Sequence, residues 1–327
     1  MVSFFKDYEV EIVKNLRVHD APKGTITRYF VQLVKDGMGM PTFVPVLIAR
    51  GKKDGPVLGL TAAVHGNELN GIPIIQELFK EIDFENLRGT LVGVPVVNVP
   101  SLLLKKRRFT DNTDLNHVFP GVQNGNTSQV YAYRIVDRII NEFDYLLDLH
   151  TASFGRINSF YIRADMNDPE TAKLAELQNA QIIVHNTARD GTLRGAAGEL
   201  GIKAITLEVG DPNRFQKTMI QQGQTGVQNV MYYLDMLPGK VSPAEKKAIL
   251  CKESYWLYTN TGGILHVPPT LTEVVQKDQV IASMRNIFGD LITDYKAPQD
   301  GIVIGKSINP INQTGGRILH LGIFDKA

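Results

Sequence analysis

The feature that most limits the possible folds is an alternation, from about residue 55 onward, of short apolar runs with helix-like segments. Strands are predicted at 57–64, 90–98, 145–150, 159–164 and 204–210. Helices are predicted between them at 72–82, 128–143 and 168–180. Because apolar strands alternate with helices in sheets covered on both faces, the pattern predicts an α/β fold with a largely parallel sheet.

Both ends of the chain depart from this alternation. The first 50 residues have extended character, with β-rich runs at 26–34 and 43–50. The stretch LPGKVSPAEK marks a boundary, and after it short strands follow one another with turns. We therefore predict a main domain at 1–240, which begins with an N-terminal β extension, and a smaller C-terminal all-β domain at 245–327.

The composition excludes several classes of protein. Against 34 Asp and Glu residues there are 35 Lys and Arg residues, so the chain lacks the basic excess of nucleic-acid binders. A hydrophobic fraction of 43% excludes a disordered chain, and no uncharged apolar run approaches the roughly 20 residues of a membrane-spanning helix. Charges at Lys6, Asp7 and Glu9 interrupt the start, so no signal peptide is expected. We expect a cytoplasmic protein without nucleic-acid or membrane partners.

Any metal in this chain must be held by histidine and carboxylate, because the single cysteine, Cys251, excludes a cysteine-rich zinc module. Two histidines stand at strand ends, His65 after 57–64 and His150 at the end of 145–150, and Glu68 follows His65 by three residues. Ligands collect beyond the carboxyl ends of parallel strands, so these side chains are expected to converge. Two histidines and one carboxylate with an open fourth position are typical of catalytic zinc.

A single histidine is more often structural than a ligand. The company of a second histidine and a nearby glutamate is what favours a metal site. The remaining isolated histidines, which lack such company and are interpreted as structural, include His19, His185, His266 and His320.

Glu208 stands at a third strand end, in AITLEVG, and offers a different role. A metal-bound water still needs a group that accepts and redelivers its proton, and a carboxylate facing that water serves. A solvated edge glutamate is the alternative. Other chemistries lack their motifs: there is no G-x-S-x-G elbow, and the glycines around His65 lack the G-K-[ST] ending of a phosphate loop.

The segment KKRRFTDNTDLNHVFPG (105–121) is too polar for a strand and too rich in turn residues for a helix. A basic cluster beside a zinc site suits an anionic substrate or the negative charge that develops on a carbonyl oxygen. A solvated loop is the ordinary interpretation. Its position between the strands that lead to His65 and His150 favours function.

The motifs together resemble the succinylglutamate desuccinylase/aspartoacylase family, which is related to the zinc carboxypeptidases. The matching segments are HGNE (65–68), RRFTDNTDLNHVFPG (107–121), DLHTA (148–152) and ITLEVGD (205–211), in the family's order. The C-terminal text KAPQDGIVIG (296–305) also resembles the β-domain of bacterial members. The resemblance implies a carboxypeptidase-like mixed sheet flanked by helices, and a lid or substrate-restricting role for the β-domain.

The resemblance also implies roles for individual residues. His65, Glu68 and His150 match the ligands of one Zn²⁺ per chain, and Glu208 matches the general base that activates the metal-bound water. Arg108 matches the arginine that polarises the scissile carbonyl and steadies the oxyanion.

Substrate recognition is where the chain departs from the family pattern. Asn116 matches the asparagine that helps to hold the substrate carboxylate, but the arginine that follows it in the family is here His117. Histidine offers one donor and is only partly charged near neutral pH, whereas arginine grips a carboxylate with two hydrogen bonds. The sequence leaves two alternatives open: another class of N-acyl compound, or a carboxylate bound by Arg107, Lys106 or Arg156.

These observations predict a zinc-dependent amidohydrolase, with its zinc hydrolase domain at 1–240. It would cleave an amide bond of a small, anionic N-acyl amino acid or related N-acyl compound by attack of metal-bound water. A metallocarboxypeptidase acting on peptides and a catalytically inactive small-ligand-binding homologue are the alternatives. The sequence leaves a homo-oligomer open.

Overall fold

A twisted sheet of ten strands forms the centre of the fold in the computed structural model, which describes residues 9–187 and 191–325. Its strands, in chain order, are β1 (Val10–Val13), β2 (Thr25–Lys35), β3 (Pro41–Arg50), β4 (Lys53–Ala62), β5 (Arg88–Val94), β6 (Tyr145–His150), β8 (Phe160–Ala164), β9 (Ile182–His185), β10 (Lys203–Val209) and β11 (Ile249–Cys251). The short β7 (Arg156–Asn158) lies between β6 and β8 in the chain but belongs to another sheet.

The strand order places the predicted functional strand ends side by side. The sheet runs β1-β2-β3-β5-β4-β6-β10-β8-β9-β11, and β5, β4, β6 and β10 are parallel to one another. Strand β3 pairs antiparallel with β2 and β5, and β8 pairs antiparallel with β10. The mixed, largely parallel sheet predicted from the sequence is therefore confirmed, and the carboxyl ends of β4, β6 and β10 lie at one edge of it.

Helices cover both faces of the sheet. They are α1 (Gly71–Glu81), α2 (Val99–Leu103), α3 (Thr127–Arg138), α4 (Pro169–Glu176), α5 (Leu193–Glu199) and α6 (Lys217–Tyr233). Helices α1, α4 and α6 pack on one apolar core, and α3 and α5 pack on the other. The predicted cap of α4 is present, because Asp168 Oδ1 accepts a hydrogen bond from Thr171 N (3.0 Å) and Pro169 begins the helix.

A second, smaller body of antiparallel strands follows. Its strands are β12 (Glu253–Tyr258), β13 (Gly263–His266), β14 (Val274–Val275), β15 (Val280–Arg285), β16 (Leu291–Lys296), β17 (Gly301–Ser307), β18 (Ile311–Asn312) and β19 (Arg317–Ile323). One sheet has the order β12-β19-β17-β14, with β7 added at β17, and the other has the order β16-β15-β13-β18. A shared apolar core that includes Leu265, Met284 and Leu321 joins them, as predicted for an all-β C-terminal region.

The two bodies are joined by strand pairing as well as by the chain. Strand β7 comes from the α/β part but pairs with β17, and β11 lies beyond residue 245 but pairs with β9 of the large sheet. The domain limits at 240 and 245 stay a prediction. None of the helices in the described ranges has the length and apolar character that crossing a membrane requires.

All eight strands and helices predicted between residues 57 and 210 are present, with ends shifted by a few residues. Helix α6, the longest of the described helices, was not predicted. Its two internal glycines, Gly223 and Gly226, lower its intrinsic helix propensity. The structure explains them by close packing, because a Cβ at Gly223 would lie 2.4 Å from Ile74 and one at Gly226 would lie 2.2 Å from Gln178.

Candidate metal centre and active site

The HGNE segment forms the tight connection between β4 and α1. Glu68 N donates to His65 O (3.1 Å), so both side chains leave the same turn. Gly66 is required here by close approach, because a Cβ would lie 2.1 Å from the carbonyl carbon of Ser101. A Cβ at Gly71 would likewise lie 2.7 Å from Ala62 Cβ. The glycines therefore let the turn sit against the neighbouring backbone.

Strand register brings the other two predicted residues to this turn. His150 is the last residue of β6, which lies beside β4, and Glu208 lies on β10 directly opposite His150 in the parallel ladder. Asn67 Nδ2 and Ser153 Oγ are 2.9 Å apart and tie the HGNE turn to the loop after β6. We call His65, Glu68, His150 and Glu208 the strand-end cluster.

Within the cluster, His65, Glu68 and His150 can hold a metal ion. All three are buried, and one ligand atom from each lies within 4.8 Å of the others. The Nδ1 atoms of both histidines face the Glu68 carboxylate, each at 2.9 Å from one of its oxygens. The two imidazole rings meet edge to face, with centroids 5.2 Å apart.

Two aspartates fix the orientation of the histidines. Asp114 Oδ1 lies 2.8 Å from Nε2 of His65, and Asp148 Oδ2 lies 2.8 Å from Nε2 of His150. Burial by itself raises the pKa of Asp114, but His65 and Arg107 outweigh it and hold that pKa well below its ordinary value. An ionised carboxylate only accepts hydrogen bonds, so Nε2 of His65 carries the proton and Nδ1 keeps its lone pair for a metal.

An orphaned atom supports the fit of a metal to this set. His65 Nδ1 is buried and has no hydrogen-bond partner, although Glu68 Oε1 lies close to it. Buried polar atoms are rarely left unpaired unless a ligand or ion satisfies them. Two imidazoles and one carboxylate, each backed by a hydrogen bond, are the donor set that zinc accepts in catalytic sites.

The motifs of the sequence predicted no role for either aspartate. The sequence did contain a signal for Asp148. Residues two apart on a strand point to the same face of the sheet, so Asp148 and His150 are expected on the same face. Asp114 lies in the DLN segment before the 3₁₀ turn Leu115–His117, and only the fold brings it to His65.

The structure brings Arg107, and not Arg108, to the strand-end cluster. Arg107 Nη1 donates to Glu68 Oε1 (2.7 Å), and its Nε donates to Asp114 Oδ2 (3.0 Å). Arg108 is exposed, and its guanidinium donates to the carbonyl oxygen of Asn112 (3.1 Å). The carbonyl-polarising role expected of Arg108 stays a prediction, and the guanidinium that contacts the cluster is that of the adjacent Arg107.

Electrostatics distinguishes the two glutamates of the cluster. Burial alone raises the pKa of Glu68, but the two histidines and Arg107 hold that pKa far below its ordinary value, as a metal ligand requires. Burial also raises the pKa of Glu208, and there it prevails over His150 and the arginines. Glu208 thus has the higher pKa of the two and is the better suited to take up a proton.

Glu208 is held by neutral donors. Asn158 Nδ2 donates to Glu208 Oε2 (3.0 Å), and Asn158 belongs to β7, the strand shared with the β-domain. The hydroxyl of Tyr161 also interacts with the Glu208 carboxyl, and burial together with this neighbour raises the pKa of Tyr161 well above its ordinary value.

Asn116 and His117, two of the three residues predicted to bind the substrate, follow Asp114 in the 3₁₀ turn. Asn116 Oδ1 accepts a hydrogen bond from Leu193 N (2.8 Å), so part of its amide holds the start of α5. His117 has a 63% exposed side chain, and its Nε2 is 4.0 Å from Asp114 Oδ2. Their substrate contacts stay a prediction, as does that of Arg107.

The fold and site define a class: α/β proteins with a metal-competent His–Glu–His set at the carboxyl edge of a mixed sheet. Comparison with protein families gives a match to the succinylglutamate desuccinylase/aspartoacylase catalytic domain over residues 54–234. The chain belongs to this family.

Curated relatives cover different shares of the chain. An N-alpha-acetyl-L-2,4-diaminobutyric acid deacetylase of Halomonas elongata is 23% identical over 279 residues, which are 80% of each chain. A succinylglutamate desuccinylase of Pseudomonas paraeruginosa is 28% identical over 200 residues, which are 57% of this chain and 59% of that one. The chain is therefore related to amide-bond deacylases.

A solved structure shares the fold over nearly the whole chain. The succinylglutamate desuccinylase/aspartoacylase of Rhodobacter sphaeroides superposes with a TM-score of 0.85 at 20% identity and covers 96% of this chain and 99% of that one. The fold class predicted from the sequence, including the all-β C-terminal region, is that of the family.

Proposed function

We propose that the protein is a zinc-dependent deacylase that hydrolyses the amide bond of a small N-acyl amino acid or related N-acyl compound. The observation that carries the proposal is the convergence of three metal-competent side chains with a separate glutamate, Glu208, at adjacent strand ends. His65, Glu68 and His150 would hold the zinc ion. When bound, zinc supplies a Lewis acid that activates water at neutral pH and polarises a carbonyl.

Residues of the chain would transfer the proton and stabilise the negative charge on the carbonyl oxygen. Glu208 accepts a proton from the attacking water and passes it to the leaving nitrogen as the C–N bond breaks. Its raised pKa favours the uptake of the proton. Arg107 is suited to donate hydrogen bonds to the carbonyl oxygen as negative charge develops there. The products are the acyl carboxylate and the free amine, and one water is consumed.

The relatives indicate which substrates to test. One is named for N-alpha-acetyl-L-2,4-diaminobutyric acid and another for succinylglutamate, both N-acyl amino acids. A panel of N-acetyl and N-succinyl amino acids therefore includes the acyl groups of both. C-terminal peptides belong in the same panel because they would reveal a carboxypeptidase.

The decisive experiment compares wild-type protein with Glu208→Gln. The proposal expects about one zinc ion per chain in both proteins, because Glu208 is not a ligand. It also expects kcat for an N-acyl amino acid to fall by about 10³-fold, within the 10²–10⁴-fold contribution of general acid–base catalysis. Metal content by elemental analysis and turnover by amine release are the measurements. Glu199→Gln, a change on the exposed end of α5, is the matched control and should leave both unchanged.

Three outcomes would contradict the proposal. Wild-type protein that binds no zinc contradicts the metal centre. A Glu208→Gln variant that retains turnover contradicts the assigned base. Zinc binding without turnover on any member of the panel indicates a ligand-binding protein that keeps the ancestral fold.

A further inference from the structure

A cavity of about 590 Å³ lies between the loop after β6 and the C-terminal β-strands. Phe154 lines it from the loop, Arg156 from β7, and Ser307 and Arg317 from β17 and β19. Phe154 also connects it to the candidate active site, because Arg107 Cζ lies over its ring, 5.4 Å from the centroid. The cavity is therefore a neighbour of the strand-end cluster but is built from other residues.

Two arginines of this cavity share one aromatic side chain. Arg156 Cζ lies 5.3 Å from the ring centroid of Trp256 and 5.5 Å from that of Phe154, and Arg317 Cζ lies 5.1 Å from that of Trp256. An aromatic ring attracts a guanidinium within about 6 Å of its centroid and leaves the N–H groups available for hydrogen bonds. We call Phe154, Arg156, Trp256 and Arg317 the arginine pocket.

The charges of the arginine pocket are not neutralised by the protein. Arg156 is only 9% exposed, and its Nε donates to the carbonyl oxygen of Ser153. In the part of the chain that the structure describes, neither Arg156 nor Arg317 forms a salt bridge with a carboxylate. Arg317 is exposed, but Arg156 is buried, and a buried charge without a counterion is costly. The site around Arg156 therefore gains from an anionic ligand.

The positive charge extends toward the strand-end cluster. Partial burial and the charge of Arg107 both lower the pKa of Arg317, so the charge of Arg107, which pairs with Glu68 of the cluster, is felt in the pocket. Arg107 differs from the pocket arginines because Glu68 and Asp114 neutralise it. The unneutralised positive charge thus lies in the arginine pocket.

We propose that the arginine pocket binds the α-carboxylate of the substrate, a group that is separate from the amide that is cleaved. The inference rests on the proposed function and specifies it: the substrate is an N-acyl compound with a free carboxylate, and the β-strands after residue 250 supply part of its recognition. The two Nη atoms of Arg156 form an end-on fork for the carboxylate, and Arg317 adds a second cation. The pocket thereby substitutes for the arginine that the family pattern has where this chain has His117.

The test uses substrates in matched pairs that differ only in charge. N-acetyl-L-2,4-diaminobutyrate and the other members of the panel are each offered as the free acid and as the α-carboxamide. The variants are Arg317→Gln and Arg156→Gln. We expect each to lower kcat/KM for the acid about 10- to 100-fold, as for loss of a charge-assisted hydrogen bond, and to change it for the carboxamide by no more than about 2-fold.

Controls separate binding from folding. Arg285→Gln removes an exposed arginine of β15 that bonds only to Gly289 O among the described contacts, so both substrates should be unaffected. Arg156→Lys keeps the charge and loses the fork, so its loss on the acid should be smaller than that of Arg156→Gln. It also keeps the test usable if Arg156→Gln does not fold. Equal losses on acid and carboxamide in both pocket variants would overturn the proposal, because only a structural role would then remain.

Calorimetry distinguishes this proposal from the proposed function. Glu208→Gln is titrated with N-acetyl-L-2,4-diaminobutyrate and with its α-carboxamide, alone and combined with Arg317→Gln. If Glu208→Gln binds the acid more tightly than the carboxamide, and if Arg317→Gln abolishes that preference, the pocket is supported. This holds even if the wild-type protein hydrolyses nothing and the proposed function fails. The opposite outcome is that the wild-type protein turns over the substrate while neither arginine variant changes the ratio of kcat/KM for the acid to kcat/KM for the carboxamide. That result would overturn the pocket and would leave the proposed function in place.

Discussion

The strand-end cluster and the arginine pocket are neighbouring polar sites built in opposite ways. All members of the cluster stand at the carboxyl edge of one sheet, and its charges are paired: Asp114 and Asp148 hold the histidines, and Arg107 lies between Glu68 and Asp114. The arginine pocket combines Phe154 of a loop and Arg156 of β7 with strands β12 and β19, and no carboxylate of the described residues pairs with its arginines.

The difference shows how each site is completed. The cluster offers lone pairs, with His65 Nδ1 left without a partner, and so has the donor groups that a cation requires. The pocket offers N–H groups of two guanidiniums and is completed by an anion. Because Phe154 contacts arginines of both sites, one extended molecule with a polarisable carbonyl and a carboxylate is the ligand that suits the pair.

The largest effect on activity is expected when Arg107, which contacts the strand-end cluster, is compared with its neighbour Arg108. Arg107→Gln should lower kcat on the true substrate by about 10²–10³-fold, the cost of removing one donor to a developing oxyanion. The guanidinium of Arg108 bonds to Asn112 O at the surface, so Arg108→Gln should have a kcat within about 2-fold of that of the wild type. Steady-state kinetics of both variants on one N-acyl amino acid decides. The reverse order would restore the role that the sequence motif suggested for Arg108.

A smaller effect, on zinc affinity, is expected when Asp148, which orients the predicted metal ligand His150, is substituted. Asp148 is fully buried, accepts a hydrogen bond from Thr61 Oγ1 (2.7 Å) and holds Nε2 of His150. Asp148→Asn should weaken zinc binding about 10- to 100-fold, as for other carboxylates that orient a metal-ligating histidine. Competition with a chromogenic chelator measures the zinc Kd. Asp137→Asn, on the exposed face of α3, is the control, and equal zinc affinity in both variants would contradict a supporting role for Asp148.

The same contrast explains what the sequence could predict. The convergence of His65, His150 and Glu208 was predictable because each stands at or near the end of a predicted strand, and parallel strand ends meet at one edge of a sheet. Arg107 and Arg108 are adjacent in a loop, and no periodicity indicates which of the two turns inward. Trp256 and Arg317 carried no local signal, because their position depends on the pairing of β7 with β17 and of β12 with β19.

A few-fold effect is expected from a glycine where the two bodies meet. In the β7–β17 pairing, Gly305 lies opposite Asn158, which donates to Glu208. A Cβ at Gly305 would lie 2.4 Å from Asn158 Oδ1, so Gly305→Ala should displace that amide and lower kcat by roughly 5-fold, with a stability loss of about 1–3 kcal/mol from overpacking. Kinetics and thermal melting are the measurements.

The control for this change is another glycine-to-alanine substitution. Gly198, on α5, has open space around its Cβ position, so Gly198→Ala should leave kcat unchanged and should stabilise the helix slightly. If Gly305→Ala lowers the Tm but leaves kcat unchanged, the β-domain does not help to position Glu208.

The smallest effect is expected at the residue that departs most visibly from the family pattern. His117 is 63% exposed and 4.0 Å from Asp114, whereas Arg156 is buried against two aromatic rings. If the arginine pocket holds the carboxylate, His117→Arg should change the acid-to-carboxamide ratio of kcat/KM by less than about 3-fold. A rise of 10-fold or more, the value of a new charge-assisted contact, would place the carboxylate near residue 117 and leave the pocket without its proposed ligand. Combining His117→Arg with Arg317→Gln sharpens the result, because independent sites give additive effects, whereas two arginines that compete for one carboxylate do not.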